Sequence, residues 1–278
     1  MASLIEVLKQ SELFLKSKGI TASRLDSELL LSHLLGCKRS FLYLKSENNI
    51  EEPVLSRFQS LLFRRGNREP LQYIIGEVDF YGLSIAVDKN VLIPRHETEE
   101  LIGIVISRFR NKSIGSILDL GTGSGAIGLA LAKHFTTANV LAVDTSRNAL
   151  SMAQKNALRN KIGNIRFMES DWFESVDGIF DMIISNPPYL TNEEFENTQD
   201  EIKNFEPKSA LVSANNGLAD IFKIIGTAGK FLAKDGVLVL ETGSSQHEFI
   251  ARFAKDYFGK FESIRDLGRE NRFAFFEY

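Results

Sequence analysis

The segment Ile117-Leu118-Asp119-Leu120-Gly121-Thr122-Gly123-Ser124-Gly125-Ala126-Ile127-Gly128 constrains this 278-residue chain most. An apolar strand runs into a glycine-rich turn and then into a helix through Ala130 and Leu131. Glycine lets the backbone turn tightly and approach a ligand closely. Such a strand–turn–helix belongs at the carboxyl end of an open α/β sheet, where ligands bind. A second apolar strand, Val140 to Val143, ends on Asp144, an acid placed to accept both hydroxyls of an adenosine ribose. The competing reading of Asp144 is a plain strand-ending turn residue. The spacing Gly121-x-Gly123-x-x-Ala126 also fits a dinucleotide fingerprint, so the loop alone leaves the ligand class open.

Asp119 bears on that choice. It precedes the first glycine by two positions, close to where a pyrophosphate would lie. A carboxylate there repels a diphosphate but attracts a cation, and S-adenosylmethionine carries a sulfonium and an ammonium. The alternative role for Asp119 is to cap local backbone N–H groups. Further on, Asn186-Pro187-Pro188-Tyr189 follows the apolar run Phe180 to Ile184. The prolines cannot donate to a ladder and end the strand abruptly. Pro187 also pushes Asn186 into an extended conformation. The result is a stiff turn that presents an amide and an aromatic ring at a strand's carboxyl end. A planar –NH2 group could lie against Tyr189 and donate its hydrogens to the Asn186 side-chain oxygen and the Pro187 carbonyl.

The period of the apolar residues divides the chain. Residues 1–72 read as a small helical bundle, with Leu4, Ile5 and Leu8 on one face, Leu25, Leu29, Leu30 and Leu34 on another, and Val54, Phe58, Leu61 and Leu62 on a third. They carry 11 Lys+Arg against 8 Asp+Glu, a mild basic excess that reads either as a solvated face or as contact with a partner. Over residues 73–93, Tyr73, Ile75, Leu83, Ile85 and Val87 alternate as strands do, predicting a linking β-hairpin that turns at Tyr81-Gly82. Residues 94–278 then alternate helices with strands near 115–120, 138–143, 164–168, 180–185, 236–241, 261–265 and 272–277. That order predicts an α/β domain with a mostly parallel sheet and helices on both faces. Residues 192–206 hold six acids and Lys203, a stretch that reads equally as a solvated loop or as a lid over the substrate.

Composition excludes several classes. The single Cys37 cannot form an internal disulfide and fits a cytoplasmic protein. No apolar run is long enough to span a bilayer. Net charge is −3, which argues against a protein built around a nucleic-acid backbone. His33, His96, His134 and His247 have no ligand-like spacing, so no metal is expected.

Together these residues resemble the class I S-adenosylmethionine-dependent methyltransferases. More narrowly they resemble the PrmC/HemK family, protein-(glutamine-N5) methyltransferases of peptide chain release factors. The resemblance takes in Gln72 to Glu77, Phe80-Tyr81-Gly82, Leu92 to Glu99 and Phe205 to Leu211. The family usually has proline where this chain has His96. The resemblance implies a Rossmann-like, seven-stranded sheet with an antiparallel last strand. It implies S-adenosylmethionine as cofactor, leaving as S-adenosylhomocysteine, bound by Asp119, Gly121, Thr122, Gly123, Ser124, Gly125, Asp144, Trp172 and Asn186. Trp172 would stack on the adenine, against the alternative of a core tryptophan. Asn186, Pro187, Pro188 and Tyr189 would bind the substrate, with Asn186, Pro187 and Tyr189 catalytic. The implied substrate is the Gly-Gly-Gln glutamine of release factors 1 and 2, docked by the bundle of a monomeric enzyme. An N6-adenine or N2-guanine methyltransferase could use the same tetrapeptide, and a non-catalytic dinucleotide-binding module could use the glycine loop.

Overall fold

A computed structural model of the chain describes residues 3–44 and 46–277. The chain divides into two compact units. One runs to Gly76 and takes in Gln199–Phe205; the other comprises Glu77–Thr198 and Glu206 onward.

The first unit is a bundle of α1 (Leu4–Ser17), α2 (Ser23–Leu35), α3 (Arg39–Leu44), α4 (Glu52–Gly66) and α5 (Leu71–Ile75). Ser3 opens α1 with a capping box to Glu6. Leu15, Leu30, Leu31 and Phe58 are fully enclosed at its centre. The buried face of α2 is rotated from the leucine stripe expected: Leu25 is exposed, while Asp26, Ser27, Glu28, Leu30 and Leu31 point inward. Two acids can be buried there because each is paired. Arg65 reaches Asp26 at 2.7 Å, and Glu28 receives Arg24 at 3.1 Å together with Arg39 and Tyr43. An apolar stripe read from sequence cannot anticipate such pairing.

Residues 73–75, read from sequence as the start of the hairpin, lie instead in the helix Leu71–Ile75. An alternation of two residues, Tyr73 and Ile75, is too short to tell a strand from a helical turn. Pro70 starts the turn and Gly76 ends it in the left-handed conformation.

In the second unit, β1 (Glu77–Phe80) and β2 (Leu83–Ala86) pair antiparallel. Tyr81 and Gly82 both take positive φ, as a two-residue hairpin turn requires. After α6 (His96–Phe109) come β3 (Ser116–Leu120), α7 (Ala126–His134), β4 (Asn139–Asp144), α8 (Arg147–Arg159), β5 (Ile165–Glu169) and β6 (Phe180–Ser185). The stretch 192–206 folds as α9 (Asn192–Glu196) and α10 (Asp200–Phe205). Within the first unit, Glu201 of α10 meets Arg65 at 3.1 Å and Arg68 at 2.7 Å. The chain continues through α11 (Ala214–Gly217), α12 (Ala219–Ala228), β7 (Leu232–Glu241), α13 (His247–Ala254), β8 (Lys260–Arg265) and β9 (Asn271–Glu277).

The described residues form a seven-stranded sheet of order β5-β4-β3-β6-β7-β9-β8. The first five strands in that order are parallel. β9 slots antiparallel between β7 and β8, as expected of a strand that follows its predecessor so closely. Its Phe273, Phe275 and Phe276 are fully buried, because a strand inside a covered sheet is enclosed on both faces. No helix among the described residues is long and apolar enough to cross a membrane.

His96 occupies the first position of α6, after Arg95 in an extended conformation (φ −99°, ψ 155°). That backbone suits the residue before a proline, and the first helical position needs no N–H. His96→Pro is therefore expected to leave the fold intact and to raise stability by about 0.4–1 kcal/mol, read from urea unfolding.

Candidate active site

Three parallel strands end side by side. Leu120 of β3 is in register with Val143 of β4 and with Ser185 of β6. The glycine turn, Asp144 and Asn186 therefore leave the sheet at one level. They open on a cavity of about 320 Å³ lined by Gly121, Gly123, Asp144, Ser170, Trp172, Asn186 and Pro188, with Leu92, Pro207, Ser209 and Ala210 from flanking loops. A larger hollow of about 850 Å³ lies on the bundle. Its buried acid, Glu28, is already taken by Arg24, Arg39 and Tyr43, so it offers little free chemistry.

Gly121, Gly123 and Gly125 all adopt positive φ. Asp144 braces the turn: one carboxylate oxygen accepts Gly123 N–H at 2.8 Å and the other accepts Ser146 N–H at 2.8 Å. Burial pushes its carboxyl above the ordinary range, and N–H groups of Ser146, Gly123 and Thr145 pull it back. Three N–H donors leave the carboxylate room for a further one.

Asp119 lies beneath the turn, fully buried, and is not among the lining residues. Its Oδ2 accepts Thr122 Oγ1–H at 2.6 Å and Gly128 N–H at 2.9 Å. A Cβ on Gly128 would sit 2.9 Å from that oxygen, which is why the helix can approach so closely there. Oδ1 has no hydrogen-bond partner. Burial raises the carboxyl to about 7. Asp119 thus caps a local backbone N–H, the alternative weighed for it, and lies outside the cavity lining. Thr122 and Ser124 are also buried under the turn, where Asn156 Nδ2 donates to the Ser124 carbonyl at 2.9 Å. Thr122, Ser124 and Gly125 shape the turn from below and do not line the cavity.

Trp172 lines the cavity and packs against the main core. Its ring edge lies 3.4 Å from where a Gly121 Cβ would be, and Nε1 donates to Asp220 at 3.1 Å. The residue holds a positive φ of 51°. Ser170 supports that conformation by donating to the Trp172 carbonyl at 2.9 Å and accepting Ser175 N–H at 3.0 Å.

Asn186, Pro188 and Tyr189 are half-buried and Pro187 is buried. Behind them lies a polar chain that sequence reasoning did not single out. Asn186 Nδ2 donates to Thr98 Oγ1 at 3.2 Å, and Thr98 donates to Glu241 Oε2 at 2.7 Å. Tyr189 OH faces the other Glu241 oxygen at 3.4 Å. Gln246 Nε2 donates to the Tyr189 carbonyl at 2.9 Å. Gly217, at φ +77°, lies against that same carbonyl, where a Cβ would stand 2.0 Å from the oxygen. Thr98 belongs to the stretch Leu92–Glu99, and Glu241 ends a strand. Neither position carries a periodic or turn signal that marks it in sequence.

Two other quoted segments also meet. Arg95 donates to Glu206 at 2.6 Å, and Glu206 accepts Ile93 N–H at 3.2 Å. The chain after Glu206 then pairs with the end of the tetrapeptide, Leu190 N–H donating to Leu211 at 2.9 Å and Ser213 N–H to Leu190 at 3.0 Å.

Residues 6–76 match the family model of the PrmC N-terminal domain, and residues 102–210 match that of the methyltransferase small domain. The release factor glutamine methyltransferase of Buchnera aphidicola subsp. Schizaphis graminum is 39% identical over 253 residues, 91% of each chain. That of Fusobacterium nucleatum subsp. nucleatum is 35% identical over 272 residues, 96% of this chain and 77% of the relative. Among solved structures, a ribosomal protein L11 methylase from Lactobacillus delbrueckii subsp. bulgaricus matches with a TM-score of 0.51 at 23% identity, over 67% of this chain and 81% of its own, which shows a shared fold. With relatives this similar over nine-tenths of its length, the chain belongs to the release factor glutamine methyltransferase family.

Proposed function

We propose that this protein transfers a methyl group from S-adenosylmethionine to the side-chain nitrogen of the glutamine in the Gly-Gly-Gln motif of release factors 1 and 2. It would act as a monomer in the cytoplasm, where those substrates work. The observation that carries the reading is that Asn186 and Pro188 line the same cavity as Gly121, Gly123 and Asp144. An acceptor for an –NH2 group and a cradle for an adenosine thus share one space at the sheet's carboxyl edge.

The residues present fit the cofactor. Gly121 and Gly123 leave room for close approach, Asp144 offers acceptors to ribose hydroxyls, and Trp172 offers an aromatic face for adenine. Asp119 acts one layer back, shaping the turn through Thr122 and Gly128 and adding negative charge beneath it. When bound, S-adenosylmethionine supplies an electrophilic methyl on a sulfonium.

The chain's own residues would handle the other reactant. A glutamine nitrogen is a poor nucleophile because its lone pair is delocalised into the carbonyl. As it forms its new bond it gains positive charge, and its N–H groups become more acidic. The Asn186 side-chain oxygen and the Pro187 carbonyl, fixed on those hydrogens, then bind the transition state better than the ground state. Tyr189 holds the amide plane and offers a π face to the developing charge. Positioning contributes the remaining rate. The glutamine pocket is small, and a stable encounter between proteins needs roughly 1,200 Å² or more of buried surface. Residues 1–72 would supply that docking surface, with part of their attraction coming from a +3 balance, 11 Lys+Arg less 8 Asp+Glu.

The decisive assay offers labelled S-adenosylmethionine with release factor, DNA and RNA. Label is expected on release factor alone, and label on nucleic acid would overturn the substrate. Asp144→Ala is expected to weaken S-adenosylmethionine binding roughly 10- to 100-fold by calorimetry. Unchanged affinity, or tighter binding of a nicotinamide dinucleotide, would remove the cofactor assignment. Asn186→Ala is expected to lose nearly all transfer with only modest loss of cofactor affinity, while Asn186→Asp keeps a trace; near-normal turnover of the alanine variant would sink the acceptor role. Raising salt from about 50 to 300 mM is expected to lower kcat/KM on intact release factor several-fold more than on a short Gly-Gly-Gln peptide. Equal effects would refute docking by the bundle.

A further inference from the structure

Resting on that reading, we propose that Thr98 and Glu241 are positioning residues for methyl transfer: a buried relay that decides which atom of the Asn186 amide faces the reacting nitrogen. An amide side chain is nearly symmetric in shape, so packing alone does not choose between its oxygen and its nitrogen. Hydrogen bonding does. An ionised Glu241 can only accept, and its Oε2 takes the single hydroxyl hydrogen of Thr98 at 2.7 Å. Thr98 Oγ1 is left with lone pairs alone, and it meets Asn186 at 3.2 Å. The Asn186 –NH2 group must therefore point inward and its oxygen toward the cavity. Among the described residues, no donor meets that oxygen. It is the acceptor that a glutamine –NH2 needs.

The same carboxylate faces the phenol of Tyr189 through its other oxygen at 3.4 Å. One buried anion thus orients the amide and the ring of the tetrapeptide together. Three segments distant in sequence meet to make it: the first turn of α6, the exit of β6 and the last residue of β7. Thr98 is 4% exposed and Glu241 1%. A carboxylate so buried is expensive for the fold, and apolar packing would serve stability better. Its retention beside the tetrapeptide suits a group held for its polarity.

The relay has a direction that a proton reverses. Burial pushes Glu241 up to about 7; Thr98, Arg272 and Tyr189 pull it down, and Glu97 pushes it up. Tyr189, itself raised by burial, is faced by Glu241, Arg272, Arg95 and Glu97. Once protonated, Glu241 donates to Thr98. Thr98 then turns its own hydrogen toward Asn186, which favours the flipped amide with –NH2 toward the cavity. Because the folded-state carboxyl is raised, the working anion is present above about pH 7 and is lost as pH falls through that value.

The test measures kcat and KM for release factor methylation across about pH 5.5–9 in the full-length protein. In the wild type, kcat is expected to fall below about pH 7. Thr98→Val should lower kcat about 10- to 100-fold with unchanged S-adenosylmethionine affinity, in a protein whose unfolding midpoint drops but stays above the assay temperature. Thr98→Ser, which keeps the hydroxyl, should restore most of it. Glu241→Gln should lower kcat at about pH 8 and abolish the fall between about pH 8 and pH 6. If Glu241→Gln does not fold, the Thr98 pair and the wild-type profile still decide. A Thr98→Val enzyme with wild-type kcat, a serine variant as slow as the valine one, or a flat wild-type profile would each overturn the relay alone. A wild type that transfers no methyl to release factor would instead overturn the functional reading, and the relay with it.

Discussion

The pairing of β3 with β6 is the interaction on which the rest of the molecule depends. From β3 the chain builds outward through β4 and β5, and then crosses back to start β6 on the other side. Connections leaving a parallel sheet in opposite directions must part at its carboxyl edge, and the gap between them is a ready cleft. Ser185 marks the place where the two strands separate: its hydroxyl donates to the Leu120 carbonyl at 2.7 Å. One residue further along each strand, Gly121 and Asn186 leave the sheet. Adjacent strands lie about 4.8 Å apart, so two motifs 65 residues apart in sequence begin as near neighbours.

Around that cleft the fold spends stability on polarity. Asp119 and Glu241 are both fully enclosed and both raised to about 7. Each receives hydrogen bonds that offset part of its desolvation. Trp172 holds a left-handed backbone and is tied by Asp220, which also accepts Ser213 Oγ–H at 2.6 Å. Ser213 in turn is bonded to Leu190, just past the tetrapeptide. The Trp172 ring and the Asn186–Tyr189 turn are thus braced by one connected network. Strain and buried charge of this kind concentrate where preorganisation matters.

The periphery is held by different means. Apolar burial organises the bundle, yet its enclosed acids make it dependent on Arg24, Arg39 and Arg65. Losing one partner would leave a buried charge, a larger cost than the pair's own net contribution. On the catalytic side, Arg95 and Glu206 join the loop before α6 to the loop after α10, both of which reach the cavity.

Much of this was legible in the sequence, because it rests on local chemistry. The seven strands announce themselves by apolar runs bounded by turn residues; β7 begins four residues earlier than read, at Leu232, and the other strands begin within one residue of where they were read. The glycine turn, the acid ending β4 and the proline-stopped exit of β6 are properties of neighbouring residues, so their positions could be read directly. The antiparallel last strand followed from the short connection before it. Local signals failed where a contact between distant segments overrode them. Residues 71–75 are helical although Tyr73 and Ile75 alternate, and α2 turns two acids inward because α3 and α4 supply their partners. Asp119 sits below the turn because the helix packs directly on it through Gly128. Thr98 and Glu241 could not be picked out at all. A hydroxyl in a helix's first turn and an acid at a strand end are ordinary residues until the sheet brings them within 2.7 Å of each other, behind Asn186.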